Sequence, residues 1–245
     1  MPEADQTTAD AANHPETALL RQVRMFEDLP DPLLVRLSAV SELANVSAGT
    51  RLCREGEQAG PLHFVLKGQV ALFAQTPDGR DALIEVIRPI RHVVLGSVLA
   101  RLPYAVNAET IAPTTLLCVE AGGLQKLLQE SAQFAAAILR AQASDFSAMV
   151  RQVCDLKMRT AAQRLGAYLL ELAQEQPKDA RELRLPIDKH LLAARLGCRQ
   201  ENLSRAFASL RSLGVETHGR RVVLHDVEAL RGFIFPAGAG AASSA

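Results

Sequence analysis

Three kinds of apolar spacing follow one another along the 245 residues of the chain. From Leu19 to Leu43 the apolar positions recur at helical intervals and are interrupted at Leu29-Pro30-Asp31-Pro32. That pattern predicts two short helices, the second capped by Asp31. From Val46 to Val119 the pattern changes to short apolar runs, Leu62 to Leu66, Val70 to Phe73, Ala82 to Ile87 and Thr115 to Val119, set apart by Gly, Pro and Asp. Short strands with turn residues between them predict an antiparallel sandwich or barrel, with Asp78-Gly79 as the clearest hairpin turn. A short helix over Gly122 to Gln129 leads into the longest periodic stretch. There Ala135, Leu139, Gln142, Phe146, Met149, Val153 and Leu156 fall at alternating steps of four and three.

A sustained 3.5-residue period is that of a coiled-coil seam, so the helix over 131–158 is expected to pair with a second copy, Gln142 fixing the register. The same spacing also serves an amphipathic helix lying on its own roll. Thr160 to Ala173 carries Leu165, Leu169 and Leu172 on one face, and the change of phase across Asp155 to Arg159 marks an expected hinge.

Beyond a polar connector over Gln174 to Arg184 and a strand expected at Leu185-Pro186-Ile187, the pattern becomes compact. Ala193, Gly197 and Leu203 stand at offsets of zero, four and ten, with Leu192, Leu196, Phe207 and Leu210 around them. A small residue that lets two helices approach, a glycine for the sharp turn and an apolar residue closing the shared core spell a helix-turn-helix. The exposed face of its second helix then carries Gln200, Glu201, Ser204 and Arg205. Val215 to Leu224 reads as a hairpin, which makes the motif winged, and Val227 to Phe235 as a closing helix. The expected class is α+β: a flexible arm at 1–18, an antiparallel β-roll sensor at 19–130, a dimerisation helix at 131–158, a winged helix-turn-helix at 159–235 and a disordered tail at 236–245.

Charge sharpens this picture. The chain holds 27 basic and 27 acidic residues, yet Asp188 to Arg221 has seven Lys or Arg against three acids, a local net of +4. A basic module attached to a neutral remainder points to nucleic acid as its partner. Cys53, Cys118, Cys154 and Cys198 are scattered, which excludes a disulfide framework, a zinc site of paired cysteines and a cysteine-held iron–sulfur cluster. There is no signal-peptide pattern and no apolar run of membrane-spanning length, so the expectation is a cytoplasmic protein with no membrane partner. No Gly-rich phosphate loop, metal-ligand cluster or nucleophile–base set stands at a usable spacing, which argues against an enzyme.

Gly49, Gly56-Glu57 and Lys67-Gly68 in the roll, the long helix, and above all GCRQENLSR at 197–205 resemble the CRP/FNR superfamily of bacterial transcription regulators. The resemblance covers roughly Phe26 to Phe235. It implies a domain like the cyclic-nucleotide-binding domain, a homodimer, a double-stranded operator and, for an activator, RNA polymerase as a further partner. Glu201, Ser204 and Arg205 match the base-reading positions of the FNR-like branch, which implies TTGA-type half-sites in an inverted repeat. The family's Ser or Thr at the start of the recognition helix is replaced by Arg199, which joins Lys189, His190, Arg220 and Arg221 as a phosphate-contact candidate.

In cyclic-nucleotide members a Gly-Glu pair holds the ribose and an Arg-Ser pair the phosphate. The matching positions here are Gly96-Ser97 and Val106-Asn107, without the carboxylate or the guanidinium, so cAMP is not expected. The segment Leu102 to Ala108 resembles the Dnr-like branch, whose members answer nitric oxide through haem. A small apolar effector, a haem and no ligand all remain open. A haem would need an axial imidazole, for which His92, beside Arg88 and Arg91, leads over His63 and His14. A rival reading is an adaptor that binds ligand in the roll and acts through protein contacts without reading DNA.

Overall fold

The computed structural model describes residues 15–75, 81–174 and 182–235. His14, the Asp78-Gly79 turn, most of the Gln174–Arg184 connector, the first 14 residues of the expected arm and the 236–245 tail lie outside them. The chain divides into two compact units, Met1–Ser147 and Ala148–Ala245.

The first unit opens with α1 (Pro15–Gln22), a single 3-10 turn (Arg24–Phe26) and α2 (Asp31–Ser38). The last residues of the expected arm are thus helical. Pro30, not Asp31, sits at the start of α2, and no side chain caps it. Asp31 instead pairs with Arg21. Eight strands follow: β1 (Ser41–Val46), β2 (Arg51–Cys53), β3 (Leu62–Lys67), β4 (Val70–Gln75), β5 (Asp81–Ile87), β6 (Arg91–Val93), β7 (Asn107–Thr110) and β8 (Thr114–Val119). They form two antiparallel four-stranded sheets, β1-β8-β3-β6 and β2-β7-β4-β5.

α3 (Leu95–Ala100) lies between β6 and β7, and α4 (Ala121–Glu130) follows β8. The core is anchored by Phe26, Phe64 and Phe134, all fully buried, with Phe26 5.4 Å from Phe64 and 5.9 Å from Phe134 between ring centroids. Gly68 joins β3 to β4 at φ +90°. A Cβ there would meet the Thr114 hydroxyl at 2.4 Å and the Pro113 carbonyl at 2.5 Å, so the turn admits glycine alone.

α5 (Ala132–Met158) is one continuous helix, and the border between the two units falls within it. In the second unit, α6 (Ala161–Gln174) packs on α8 (Gln200–Leu210) and α9 (Val227–Ile234). Gly166 of α6 lies against Ile234 and Leu230, leaving no room for a larger side chain without displacement. β9 (Glu182–Arg184), β10 (Val215–His218) and β11 (Arg221–Leu224) make a three-stranded sheet ordered β10-β11-β9. The strand before the helix-turn-helix is therefore Glu182–Arg184, not Leu185–Ile187. Leu185 leaves it by donating its N–H to the Arg220 carbonyl (2.8 Å), and Pro186 has no N–H to continue a ladder.

Between α5 and α6, Thr160 and Gln163 form a reciprocal cap. The Gln163 side chain accepts from the Thr160 N–H at 3.0 Å, and the Thr160 hydroxyl accepts from the Gln163 N–H at 3.3 Å. This is the reason one helix stops and another starts where the sequence suggests only a change of phase.

Candidate nucleic-acid interface

α7 (Lys189–Arg195) begins at Asp188, whose carboxylate accepts from the Leu191 N–H at 2.9 Å. It ends at Gly197, φ +60°, where the Gly197 and Cys198 N–H groups return to the Ala194 and Ala193 carbonyls. Leu192, Ala193, Leu196, Leu203, Phe207 and Leu210 are all buried between α7 and α8. Burying Leu203, Ala206, Phe207 and Leu210 on one side of α8 leaves Gln200, Glu201, Asn202, Ser204 and Arg205 exposed on the other.

Within this face two side chains are already held. Arg205 donates to the Asn202 amide oxygen at 2.7 Å, and the Gln200 amide lies 3.1 Å from His190 Nδ1. Glu201 and Ser204 are exposed beside them. Arg199 occupies the helix start at φ −76°, ψ 158° with no side-chain cap. A feature absent from the sequence reading is Arg164. Its guanidinium reaches the Leu196 carbonyl at the end of α7 (2.8 Å) and the Arg159 carbonyl beyond α5 (2.6 Å). One planar fork thus satisfies two helix-end carbonyls, which a lysine could not do in the same geometry.

The other phosphate candidates are less free than their sequence suggests. Lys189 Nζ lies 5.2 Å above the Phe207 ring, Arg220 Nε donates to the Leu185 carbonyl at 3.0 Å, and Arg221 Nε pairs with Glu182 at 2.6 Å. Glu216, on the wing, accepts from His218 and His225 at 2.9 and 3.1 Å, and these bonds, His225 first, hold its pKa below the ordinary glutamate value.

In the first unit, α3 carries Gly96-Ser97 and β7 begins at Asn107. Neither pair, Gly96-Ser97 or Val106-Asn107, carries a carboxylate or a guanidinium. The Asn107 amide oxygen is committed to the Glu55 N–H at 3.1 Å, and a Cβ on Gly96 would stand 3.2 Å from Gln142 Nε2. Gln142 is thus half-buried against its own roll, with its Oε1 buried and unpartnered among the described residues. It does not share the exposure of Leu139 and Phe146, which keep 69% and 65% of their surface. Further along α5, Met149, Val153 and Leu156 are exposed as well.

His92 is already engaged: its Nε2 lies 3.1 Å from the Asp145 carboxylate, and its Nδ1 is buried without a partner among the described residues. Arg91, one of the two arginines beside it, is held by Glu85 at 2.6 Å and lies 3.7 Å from Asp145. A cavity of about 380 Å³ is lined by this cluster itself, Arg91, His92 and Asp145, together with Arg24, Arg140 and apolar residues such as Ile90; His63 is not in its wall. Burial lowers the His63 pKa and keeps its imidazole neutral. Among the described residues no group of three or more His, Cys, Asp or Glu is placed to hold a metal, and no helix is long and apolar enough to cross a membrane.

Comparison with known proteins agrees with this division. Residues 43–131 match the cyclic nucleotide-binding domain and residues 163–233 the Crp-like helix-turn-helix domain. The CRP-like cAMP-activated global transcriptional regulator of Mycobacterium tuberculosis is 21% identical over 216 residues, covering 86% of this chain and 96% of the relative. Among solved structures, a regulatory protein from Silicibacter pomeroyi DSS-3 is similar with a TM-score of 0.61 and 29% identity, over 90% of this chain and 98% of that one. FixK2 from Bradyrhizobium japonicum has a TM-score of 0.69 at 22% identity over 79% and 96% of the two chains, a likeness of fold. With both domains matched in this order on either side of a long helix, the chain belongs to the CRP/FNR family of helix-turn-helix transcription regulators.

Proposed function

We propose that the protein is a cytoplasmic homodimer that reads an inverted repeat of TTGA-type half-sites, under the control of an effector bound by the roll. The observation that carries the reading is the face of α8, where Glu201, Ser204 and Arg205 are exposed above a fully buried Leu203–Phe207–Leu210 side. Arg205 has the fork to bind guanine O6 and N7, Glu201 can accept from a cytosine N4, and Ser204 can reach a neighbouring base. Gln200 stands at the start of the same helix, within reach of a base once it leaves His190.

Dimerisation is supported by the exposed apolar residues of α5, Leu139, Phe146, Met149, Val153 and Leu156. Unpartnered side chains of this size at a 3.5-residue period favour a second helix of the same kind. Gln142 drops out of the seam, which leaves register to be set elsewhere. The effector is neither cAMP nor a haem held by His92, because the side chains those ligands need are missing or already committed. RNA polymerase is the further partner if the protein activates.

The test is a gel-shift titration with a duplex carrying the TTGA inverted repeat and a scrambled duplex of equal length. Sequence preference that disappears in Phe146→Glu, together with a fall to monomer mass in sedimentation, supports a dimeric reader. Equal affinity for both duplexes would end the TTGA assignment, and a monomeric wild type would end the dimer.

A further inference from the structure

The strongest unassigned feature lies at the tip end of the wing. In the β10-β11-β9 sheet, Arg221 is directly opposite His218 on one side and Arg184 on the other. Directly opposed residues of an antiparallel sheet project from the same face, so these three side chains form a row across it. All three are exposed. Like charges set opposite one another destabilise a sheet, and two arginines in such a position call for a compensating anion.

The chain supplies only part of it. Glu182 pairs with Arg221 and Glu216 with His218, each carboxylate two residues before the row on its own strand. Arg184 has no ion pair among the described residues. The row adjoins the Gly219-Arg220 turn, and Arg220 is fixed there by two reciprocal bonds with Leu185, its carbonyl accepting from the Leu185 N–H and its Nε donating to the Leu185 carbonyl. A groove of about 500 Å³ beside it is lined by Glu182, Leu183, Arg184, Arg220 and Arg221. The groove therefore has three guanidinium groups against one carboxylate.

We propose that this groove is a phosphodiester seat, in which Arg184 and Arg221 grip the DNA backbone beside the wing tip and Glu182 is the counter-ion the phosphate displaces. The proposal rests on the DNA-reading function above and adds Arg184 and Glu182 to it. An exposed arginine–carboxylate pair is weak, so exchanging a carboxylate for a phosphate is a small change for Arg221 and a gain for Arg184. Sequence would not be read here. The seat would add affinity and salt dependence and leave base discrimination to α8.

The experiment measures binding of the full chain to the TTGA-type and scrambled duplexes across a salt series. Arg184→Ala should lower the slope of log K against log salt by about 0.9, the counterion released at one phosphate, while the ratio of the two affinities is kept. Arg184→Lys should restore the slope, and Glu182→Gln should tighten binding to both duplexes several-fold. An unchanged slope in Arg184→Ala, or weaker binding in Glu182→Gln with an unchanged melting curve, would overturn the seat while leaving DNA recognition intact. Should the wild-type protein bind neither duplex, both the parent reading and the seat fail, an outcome distinct from the first.

Discussion

The recognition helix and the effector positions of the roll have kept different parts of one family pattern. On α8 the side chains that chemistry demands are present and exposed, and the apolar residues beneath them are fully buried. At Gly96-Ser97 and Val106-Asn107 neither a carboxylate nor a guanidinium is present, and the Asn107 amide oxygen is spent on the backbone of Glu55. A domain can thus keep its architecture while its ligand chemistry is exchanged, because the fold rests on Phe26, Phe64, Phe134 and glycine turns such as Gly68.

Four measurements would break or sharpen that contrast. The largest effect is expected from Arg205→Ala, which should cost about 1–3 kcal/mol of specific binding and relax the preference at its base pair while thermal stability is unchanged; undiminished discrimination would remove the readout half of the comparison. Next, Arg199→Ser should stabilise the free protein by about 1 kcal/mol through a new cap on α8 and weaken DNA binding, as read by thermal denaturation and gel shift at moderate salt. Tighter or equal binding would show that Arg199 touches no phosphate.

Asn107→Ala should destabilise the roll by roughly 1 kcal/mol, the usual worth of a lost hydrogen bond, and leave the melting midpoint as indifferent to added cAMP as in the wild type. A cAMP-induced rise in that midpoint would place a cyclic nucleotide back in the roll.

The smallest effect concerns Cys53, whose thiol burial pushes from 9.0 to about 11. A raised folded-state value stabilises the fold fully below pH 9, and that contribution is lost as the pH rises through 11. Iodoacetamide at pH 8 should therefore label exposed Cys154 and spare Cys53, and the fall in melting midpoint above pH 9 should be shallower in Cys53→Ala. Rapid labelling of Cys53 in the folded protein would show the interior of the roll to be open.

The helix-turn-helix was legible because three constraints coincide within a dozen residues: a small residue, a glycine turn and an apolar periodicity that all specify one packing. The central strands were legible for a similar reason, being apolar and bounded by turn residues. Edge elements were not. β1 buries little, pairs only with β8, and its Leu43 follows Val40 at a spacing that also suits a helix. β9 is the tripeptide Glu-Leu-Arg, whose strand character comes from pairing with β11 and not from its own composition. The Thr160–Gln163 cap has the form T-x-x-Q, a signal the change of phase overshadowed, and it locates the junction of α5 and α6 more sharply. Gln142 falls on the seam by period alone, and only its packing against Gly96 of the roll draws it away. Nor could spacing reveal that Arg164, Arg220 and Arg221 are already engaged, since their partners lie 32, 35 and 39 residues distant.

Gly197 sets the practical border of the DNA-reading domain. Besides its φ of +60°, a Cβ at this position would stand 2.6 Å from Leu156 Cδ2, near the end of α5. An Asn or Asp, which tolerates a left-handed backbone, would enter this turn only by pushing the tip of Leu156 aside. An excised fragment that starts at 159, where the change of amphipathic phase suggests a clean cut, would lose the leucine that covers the turn. One that starts at Ala148 would keep it, and of the two it is the fragment to choose for a minimal operator-binding domain.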